Sequence, residues 1–292
     1  MDEPPFALRD ATIAIVGLGL MGGSLALALR AKNACRRIVA VTSNVTIRPQ
    51  LLARHIADEA GADLELASAA DIIVLAAPVR TIIQLLPRIG ASARAGTIVI
   101  DLGSTKREIV RAMEMLPAHI QPIGGHPMCG KEKAGFGAAE ADLYHNAVFV
   151  LTPLARTAAH TLDLAKALAE AIGARPLVLD PARHDKIAAA ISHLPYTLAI
   201  ALMLTADESA GDDSLTFALA ERGFRDASRL AASDVTMMLD ILLTNRENVA
   251  DLIRACSRQL NHLADLITSQ DETALRATLE RVAAKRRELF KS

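Results

Sequence analysis

The chain has 292 residues, of which 51% are hydrophobic and 22% charged, with a net charge of −1. That is enough apolar material for two domains with sizeable cores, and so even a charge balance offers no electrostatic footprint for nucleic acid or polyphosphate. Aromatic residues are 3% and tryptophan is absent, which argues against base-stacking platforms. The three cysteines, Cys35, Cys129 and Cys256, match no metal-ligand spacing and no disulfide framework, so no metal site is expected and a reducing, cytoplasmic setting is.

Residues 1–10 carry acids and prolines and no apolar signal core. Residues 12–16 form a short β-branched run closed by Gly17, which reads as a buried strand, and the Leu/Ala-rich residues 20–31 read as a helix. Strands follow at 38–41, 71–76 and 97–101, with a helix over 79–89 between the last two. Alternation at this pitch means βαβ units and a parallel sheet, hence an α/β fold. Two further strands are expected at 147–151 and 176–179, flanking a helix over 157–172. The segment 120–137, which holds His126 between a glycine pair and a proline, reads as a tightly held loop.

After residue 180 the pattern becomes all helical. Asp180-Pro181 supplies a cap and a first-turn proline, and no clear strand follows to the end. The domain boundary is therefore placed at 180, giving domains 1–180 and 181–292. Residues 187–206 contain no Asp, Glu, Lys or Arg and are long enough to span a bilayer. His193, Ser192, Pro195 and close flanking charges favour instead a helix buried inside the protein or a dimer, with no membrane partner. Pro195 is expected to kink that helix or to mark a special site.

Gly17-Leu18-Gly19-Leu20-Met21-Gly22 follows the first strand and opens a helix, the context a dinucleotide-binding fingerprint requires. The first glycine permits the turn, the second lets a pyrophosphate approach the backbone, and the third lets the helix pack closely. Leu20 and Met21 supply helix N-terminal amides, and Ala77-Pro78, beyond the strand at 71–76, join the cofactor set. At the end of the second strand an acid would grip the ribose hydroxyls of NAD. This chain has Thr42-Ser43-Asn44 instead, followed by Arg48. Hydroxyls, an amide and a guanidinium suit a 2′-phosphate, so the cofactor is NADP or NAD with NADP preferred. The plainer alternative makes Arg48 a solvated charge at a helix start.

The fingerprint, Asp101-Leu-Gly-Ser104-Thr-Lys106, Gly125-His126-Pro-Met-Cys-Gly130, Ser192-His193-Leu-Pro195 and Gly223-Phe-Arg-Asp-Ala-Ser-Arg229 occur in the order seen in prephenate and arogenate dehydrogenases. The chain resembles that family from about residue 11 to the last helices. The resemblance implies a Rossmann-type domain followed by an all-α domain that forms a homodimer. It implies oxidation of a cyclohexadienol ring with release of carbon dioxide, in tyrosine biosynthesis. It places His126 at the ring hydroxyl, where a neutral imidazole can accept the proton, with Ser104 orienting it. Ser104 also has a structural reading, as a helix cap. Arg229 falls at the position that grips the ring carboxylate, for which a guanidinium fork is suited; the bland reading is a surface ion pair with Asp226 or Asp234. Arg225 is expected near the substrate, His193 as a structural or supporting group there, Lys106 as a first-turn surface residue, and Cys129 as packing.

The chain departs from many relatives in three places: Tyr196 stands for a histidine beside the substrate side chain, Met238 for a tryptophan and Arg222 for a glycine. The choice between prephenate and arogenate therefore stays open, with Tyr196 kept in the substrate set. No mutase segment is expected before the fingerprint and no regulatory domain after the helices. Two rival readings remain: a β-hydroxyacid-dehydrogenase-like oxidoreductase, which would use a helix lysine, and a non-catalytic NADP-sensing dimer.

Overall fold

A computed structural model describes residues 6–131 and 133–290; the first half of the N-terminal stretch read above, and Glu132, lie outside the described residues. The chain divides into two compact units, residues 1–246 and 247–292. The first is built on one eight-stranded sheet in the order β3-β2-β1-β4-β5-β6-β7-β8. Its strands are β1 (Thr12–Val16), β2 (Arg37–Val41), β3 (Glu59–Gly61), β4 (Ile72–Leu75), β5 (Ile98–Asp101), β6 (Gln121–Pro127), β7 (Val148–Pro153) and β8 (Arg175–Val178). Every neighbouring pair is parallel except β6 and β7.

The apolar runs that mark β1, β4 and β5 follow from burial on both faces. Ile13 and Ile15 of β1 point to one face, where Leu25 and Leu29 of α1 (Leu20–Ala31) and Leu164 and Leu168 of α5 (Ala159–Ala171) pack. Ala14 and Val16 point to the other, against Ile82 and Leu86 of α3 (Val79–Ser92) and Ile109 and Met113 of α4 (Arg107–Glu114). The period of two along a strand separates the two cores. A short helix, α2 (Arg48–Ala53), follows β2.

Two strands were not foreseen. β3 has three residues at the sheet edge, too few to show a pattern. β6 replaces the expected loop around His126, although it holds Pro122, Gly124, Gly125 and Pro127. These look like strand breakers but are demanded by the neighbours. A Cβ on Gly124 would stand 2.1 Å from the Thr152 hydroxyl, and one on Gly125 would stand 2.5 Å from the Asp101 carbonyl. The strands on either side approach so closely that only glycine fits between them.

After β8 the chain enters α6 (Pro181–Ala188), where the Asp180 carboxylate accepts from the amides of Ala182 and Arg183. A π-helical turn over Ala189–His193 joins α6 to α7 (Leu194–Ala210), and Pro195 sits in the first turn of α7. Pro195 has no N–H to donate backward, and the wider turn just ahead of it absorbs the mismatch. Pro181–Ala210 is, among the described residues, the one helical run long and apolar enough to cross a membrane, and 28% of its most apolar window is buried within the chain. Short helices α8 (Leu215–Ala218) and α9 (Arg222–Ser228) lead to α10 (Val235–Thr244). The second unit, taken by itself, consists of most of α11 (Arg246–Thr268) and of α12 (Glu272–Leu289), with Asp271 capping the amide of Ala274.

Candidate active site

The fingerprint loop is shaped by contacts that exclude side chains. Gly17 has φ +98°, and a Cβ there would stand 2.3 Å from the Ala76 carbonyl. A Cβ on Gly22 would stand 1.9 Å from the Gly17 carbonyl. A Cβ on Gly19, by contrast, would meet nothing within 4 Å beyond its own stretch of chain. Gly19 is the cap of α1 and makes no side-chain cap bond, so the cap residue supplies no acceptor to the first amides of α1 at Leu20 and Met21. Two tight glycines and one open cradle at a helix N-terminus fit the diphosphate of a dinucleotide. Ala77 and Pro78 lie at the adjoining β4–α3 junction, with the Ala77 amide nitrogen 3.5 Å from the same imagined Cβ on Gly17.

At the end of β2, Thr42 is buried while Ser43 and Asn44 are exposed. Arg48 is half-buried, and its Nε and NH2 donate to the Thr42 carbonyl at 3.0 and 2.8 Å. The guanidinium is therefore fixed at the strand end, which the picture of a merely solvated charge does not describe.

His126 lies near the C-terminal end of β6. Ser104 follows β5, and the pairing Ile100 with Ile123 brings both residues to the same edge of the sheet. His126 is half-buried, and its Nδ1 lies 2.8 Å from Nε2 of His184 in α6. Nδ1 of His184 lies 2.8 Å from Oδ1 of Asp185. The Asp185 carboxylate also accepts from the amides of Lys106 at 2.7 Å and Arg107 at 2.9 Å. Asp185, not Ser104, thus caps α4; Ser104 is half-buried in the β5–α4 turn. Asn245, just beyond α10, donates to the Asp185 carbonyl at 2.8 Å and lies 3.1 Å from Nδ1 of His193. Burial, then the nearby His184, Lys106 and His193, hold the His126 pKa well below the ordinary imidazole range. Burial likewise pushes His193 down to about 4. Both rings are therefore neutral near pH 7.

Lys106 departs from expectation: it is 0% exposed, not a surface residue. Its Nζ pairs with Asp101, also fully buried, and donates to the Gly125 carbonyl at 2.6 Å. The Asp101 carboxylate accepts in turn from the amides of Gly125 at 3.0 Å and Gly103 at 2.7 Å. This buried ion pair spans β5, α4 and β6, and it fixes the residue immediately before His126. Burial raises the Asp101 pKa and lowers that of Lys106, with each charge opposing the effect on the other.

The remaining candidates lie in the helices after β8. Tyr196 is buried with Met238 and Ile241, and Leu230 packs against that cluster. Arg225 and Arg229 are exposed, in α9 and in the single turn that follows it, and both elements pack on α7. Asp226 pairs with Arg222 at 3.4 Å, and the Asp234 side chain caps the amide of Met237. Cys129 packs against the core beside the sheet, and its thiol is pushed up to about 11 by burial. No cluster of three or more metal-ligating side chains is present among the described residues.

Residues 25–178 match the family model for the prephenate dehydrogenase nucleotide-binding domain, and residues 180–281 match that for its dimerization domain. The chain belongs to the prephenate dehydrogenase family. It is 32% identical over 263 residues to the prephenate dehydrogenase of Bacillus subtilis, covering 89% of this chain and 71% of the relative. Among solved structures it is similar to an A. aeolicus prephenate dehydrogenase in complex with hydroxyphenyl propionate and NAD+. The TM-score is 0.89 at 32% identity, over 96% of this chain and 98% of the other. It is also similar to Synechocystis arogenate dehydrogenase, with a TM-score of 0.82 at 31% identity, over 96% and 100% of the two chains.

Within this member of the prephenate dehydrogenase family, the structure joins His126 and His193 to three groups not singled out from the sequence: His184, Asp185 and Asn245. The adjacent pair His184-Asp185, one turn after the Asp180 cap, is the signal that was available.

Proposed function

We propose that this chain catalyses the NAD(P)-dependent oxidative decarboxylation of prephenate to 4-hydroxyphenylpyruvate, or of arogenate to tyrosine. The observation that carries this reading is His126: a neutral imidazole near the C-terminal end of β6, one strand from Ser104, at the same end of the parallel strands as the open cradle at Gly19. The backbone amides at the start of α1 would hold the cofactor diphosphate. When bound, the nicotinamide supplies the hydride acceptor. His126 takes the ring hydroxyl proton as the carbon that bears it is oxidised, and Ser104 bonds that hydroxyl or the nicotinamide and orients His126. The resulting ketone draws electrons from the carboxylate-bearing carbon, and aromatisation drives the loss of carbon dioxide. Arg229 holds the ring carboxylate, with Arg225, His193 and Tyr196 around the substrate. Lys106 is sequestered with Asp101, which removes it from the role a β-hydroxyacid dehydrogenase would give a helix lysine.

NADP is the preferred cofactor in this reading. Arg48 is anchored at the end of β2 with guanidinium donors to spare, and no acid follows that strand. Residues 1–180 serve as the cofactor domain and 181–292 as the substrate and dimerisation domain. The homodimer reading is supported by the apolar residues that the helices leave in solvent, among them Ile191, Leu204 and Leu219. Three free cysteines accord with a cytoplasmic enzyme. A steady-state comparison of prephenate and arogenate, each with NAD and NADP, tests the reading. Carbon dioxide and a phenol should form, with the higher kcat/KM for NADP. Turnover of neither ring would end the proposal, and a higher kcat/KM for NAD would end its cofactor part.

A further inference from the structure

We propose that Asp185 and His184 form a relay that sets the tautomer of His126, so that the ring turns a bare Nε2 toward the substrate. This rests on the reading of His126 as the proton acceptor and adds two positioning residues to that site.

The direction of each hydrogen bond follows from what its partners can do. The Asp185 side chain is 0% exposed and accepts two backbone amides, those of Lys106 and Arg107, at 2.7 and 2.9 Å. A carboxylate has no proton to give. The 2.8 Å contact to Nδ1 of His184 is therefore an N–H donated by the imidazole. In the relay His184 carries a single proton, the one on Nδ1, so its Nε2 is a lone pair. The 2.8 Å contact from Nε2 to His126 must then be donated by Nδ1 of His126. With its only proton spent there, His126 has its lone pair on Nε2, ready to accept.

Two features show that this chain of bonds is built rather than incidental. His184 is 2% exposed and its ring stands at 74° to that of His126, an edge-on approach that aims a ring nitrogen rather than a ring face. Asp185 is held from two further sides, by the start of α4 at its side chain and by Asn245 at its carbonyl. When His126 takes the proton, its Nδ1–H still donates to His184, and the Asp185 carboxylate balances the new charge through that ring. The arrangement extends by one imidazole the logic in which a third group orients a catalytic base.

The test reads the tautomer directly. In the full-length wild-type enzyme labelled with 15N-histidine, long-range 1H–15N correlation at pH 8 should show His126 as the Nδ1–H tautomer, with its signals assigned by their loss in His126→Asn. An Nε2–H tautomer would overturn the relay. In Asp185→Asn the new amide can donate to His184 Nδ1, which would reverse both rings and put a proton on His126 Nε2. The expected result is a loss in kcat on the order of 10²–10⁴-fold, with KM and cofactor Kd changed less than about threefold. The corresponding exchange in the serine-protease triad leaves the geometry intact and costs about 10⁴ in kcat through the wrong tautomer. A folded Asp185→Asn enzyme with wild-type kcat would refute the proposal.

Because Asp185 also caps α4, the Asn variant can fail to fold. His184→Gln and His184→Leu then decide. The Gln carbonyl can still accept from His126 Nδ1, so His184→Gln should keep at least tenfold more kcat than His184→Leu. Equal kcat in the two would count against the relay. The tautomer of the free enzyme is measured without turnover, so it separates this proposal from the functional reading, which His126→Asn tests by itself.

Discussion

The sheet and the helical segment that follows it obey different rules of burial. In β1, β4 and β5 every residue but Thr12 is buried, and two separate cores form within one chain. In α7, 17 residues long, only Tyr196, Ala199 and Ala210 are buried, and α8 and α9 bury none. Leu198, Leu204, Leu215, Phe217 and Leu219 remain exposed. The central strands are a finished object in a single copy, although β8 at the sheet edge leaves Leu177 and Val178 exposed. The helices carry apolar surface that a single copy does not cover, so their sequence encodes a surface still waiting for its other side.

The strongest way to sharpen this contrast is to remove function from the finished part. His126→Asn should lower kcat by about 10²–10⁴-fold while cofactor Kd, measured by titration, stays near wild type. Near wild-type turnover would remove His126 from the mechanism. Next in size is Lys106→Met, which strands Asp101 as an unpaired buried carboxylate. Breaking such a pair costs about 3–5 kcal/mol, and chemical denaturation should report a loss of that order. A loss below about 1 kcal/mol would mean that the pair is not buried as described.

A third prediction uses pH. The pKa of His193 falls from 6.5 unfolded to about 4 folded. A lowered folded value means that the unfolded chain binds the proton first. Stability is therefore full above about pH 6.5, drops as pH falls through that value, and levels off near 4. The expected loss is about 3 kcal/mol over that window, at about 1.4 kcal/mol per pH unit. Denaturant midpoints across pH 4–7 should show this slope, and His193→Asn should flatten it. An unchanged slope in that variant would assign the acid sensitivity elsewhere.

Arg229 tests the unfinished part. Exposed in one chain, it should nevertheless matter to the substrate: Arg229→Ala is expected to raise KM at least about tenfold, the lower range for losing one partner of a bonded charge pair. Lys should recover this only in part, because it lacks the fork. An unchanged KM with a lowered Tm would leave Arg229 as a surface ion pair. The gentlest test touches no residue at all. Sedimentation at micromolar concentration should give about twice 31.0 kDa, and a stable monomer would contradict the idea that the helical surface is covered by a second copy.

The same contrast explains what could be read in advance. The first strand, α1 and the glycine loop were legible because local pattern and final environment agree: β-branched runs are buried and glycines sit where Cβ atoms cannot. β6 was hidden because its prolines and glycines answer to β5 and β7, which lie elsewhere in the sequence. Lys106 was misjudged because a lysine is assigned to solvent unless its counter-ion is known, and Asp101 was read only as the end of a strand and the head of a motif. His184 escaped notice because its meaning depends on His126, 58 residues earlier. Local rules locate elements, whereas a network closed across the fold needs coordinates.

The turn at Ala189–His193 gives the chain a kind of phase. One residue corresponds to about 100° of rotation about a helix axis. The wide turn winds less per residue and so takes in one extra residue between the helix that carries His184-Asp185 and the helix that carries Tyr196. Deleting a single residue there would let an ordinary α-helix run straight through. It would keep both motifs intact in the sequence and leave the second at nearly the same rotation relative to the first. Relatives one residue shorter in this segment would thus preserve the alignment between the two halves of the site along with every signature residue.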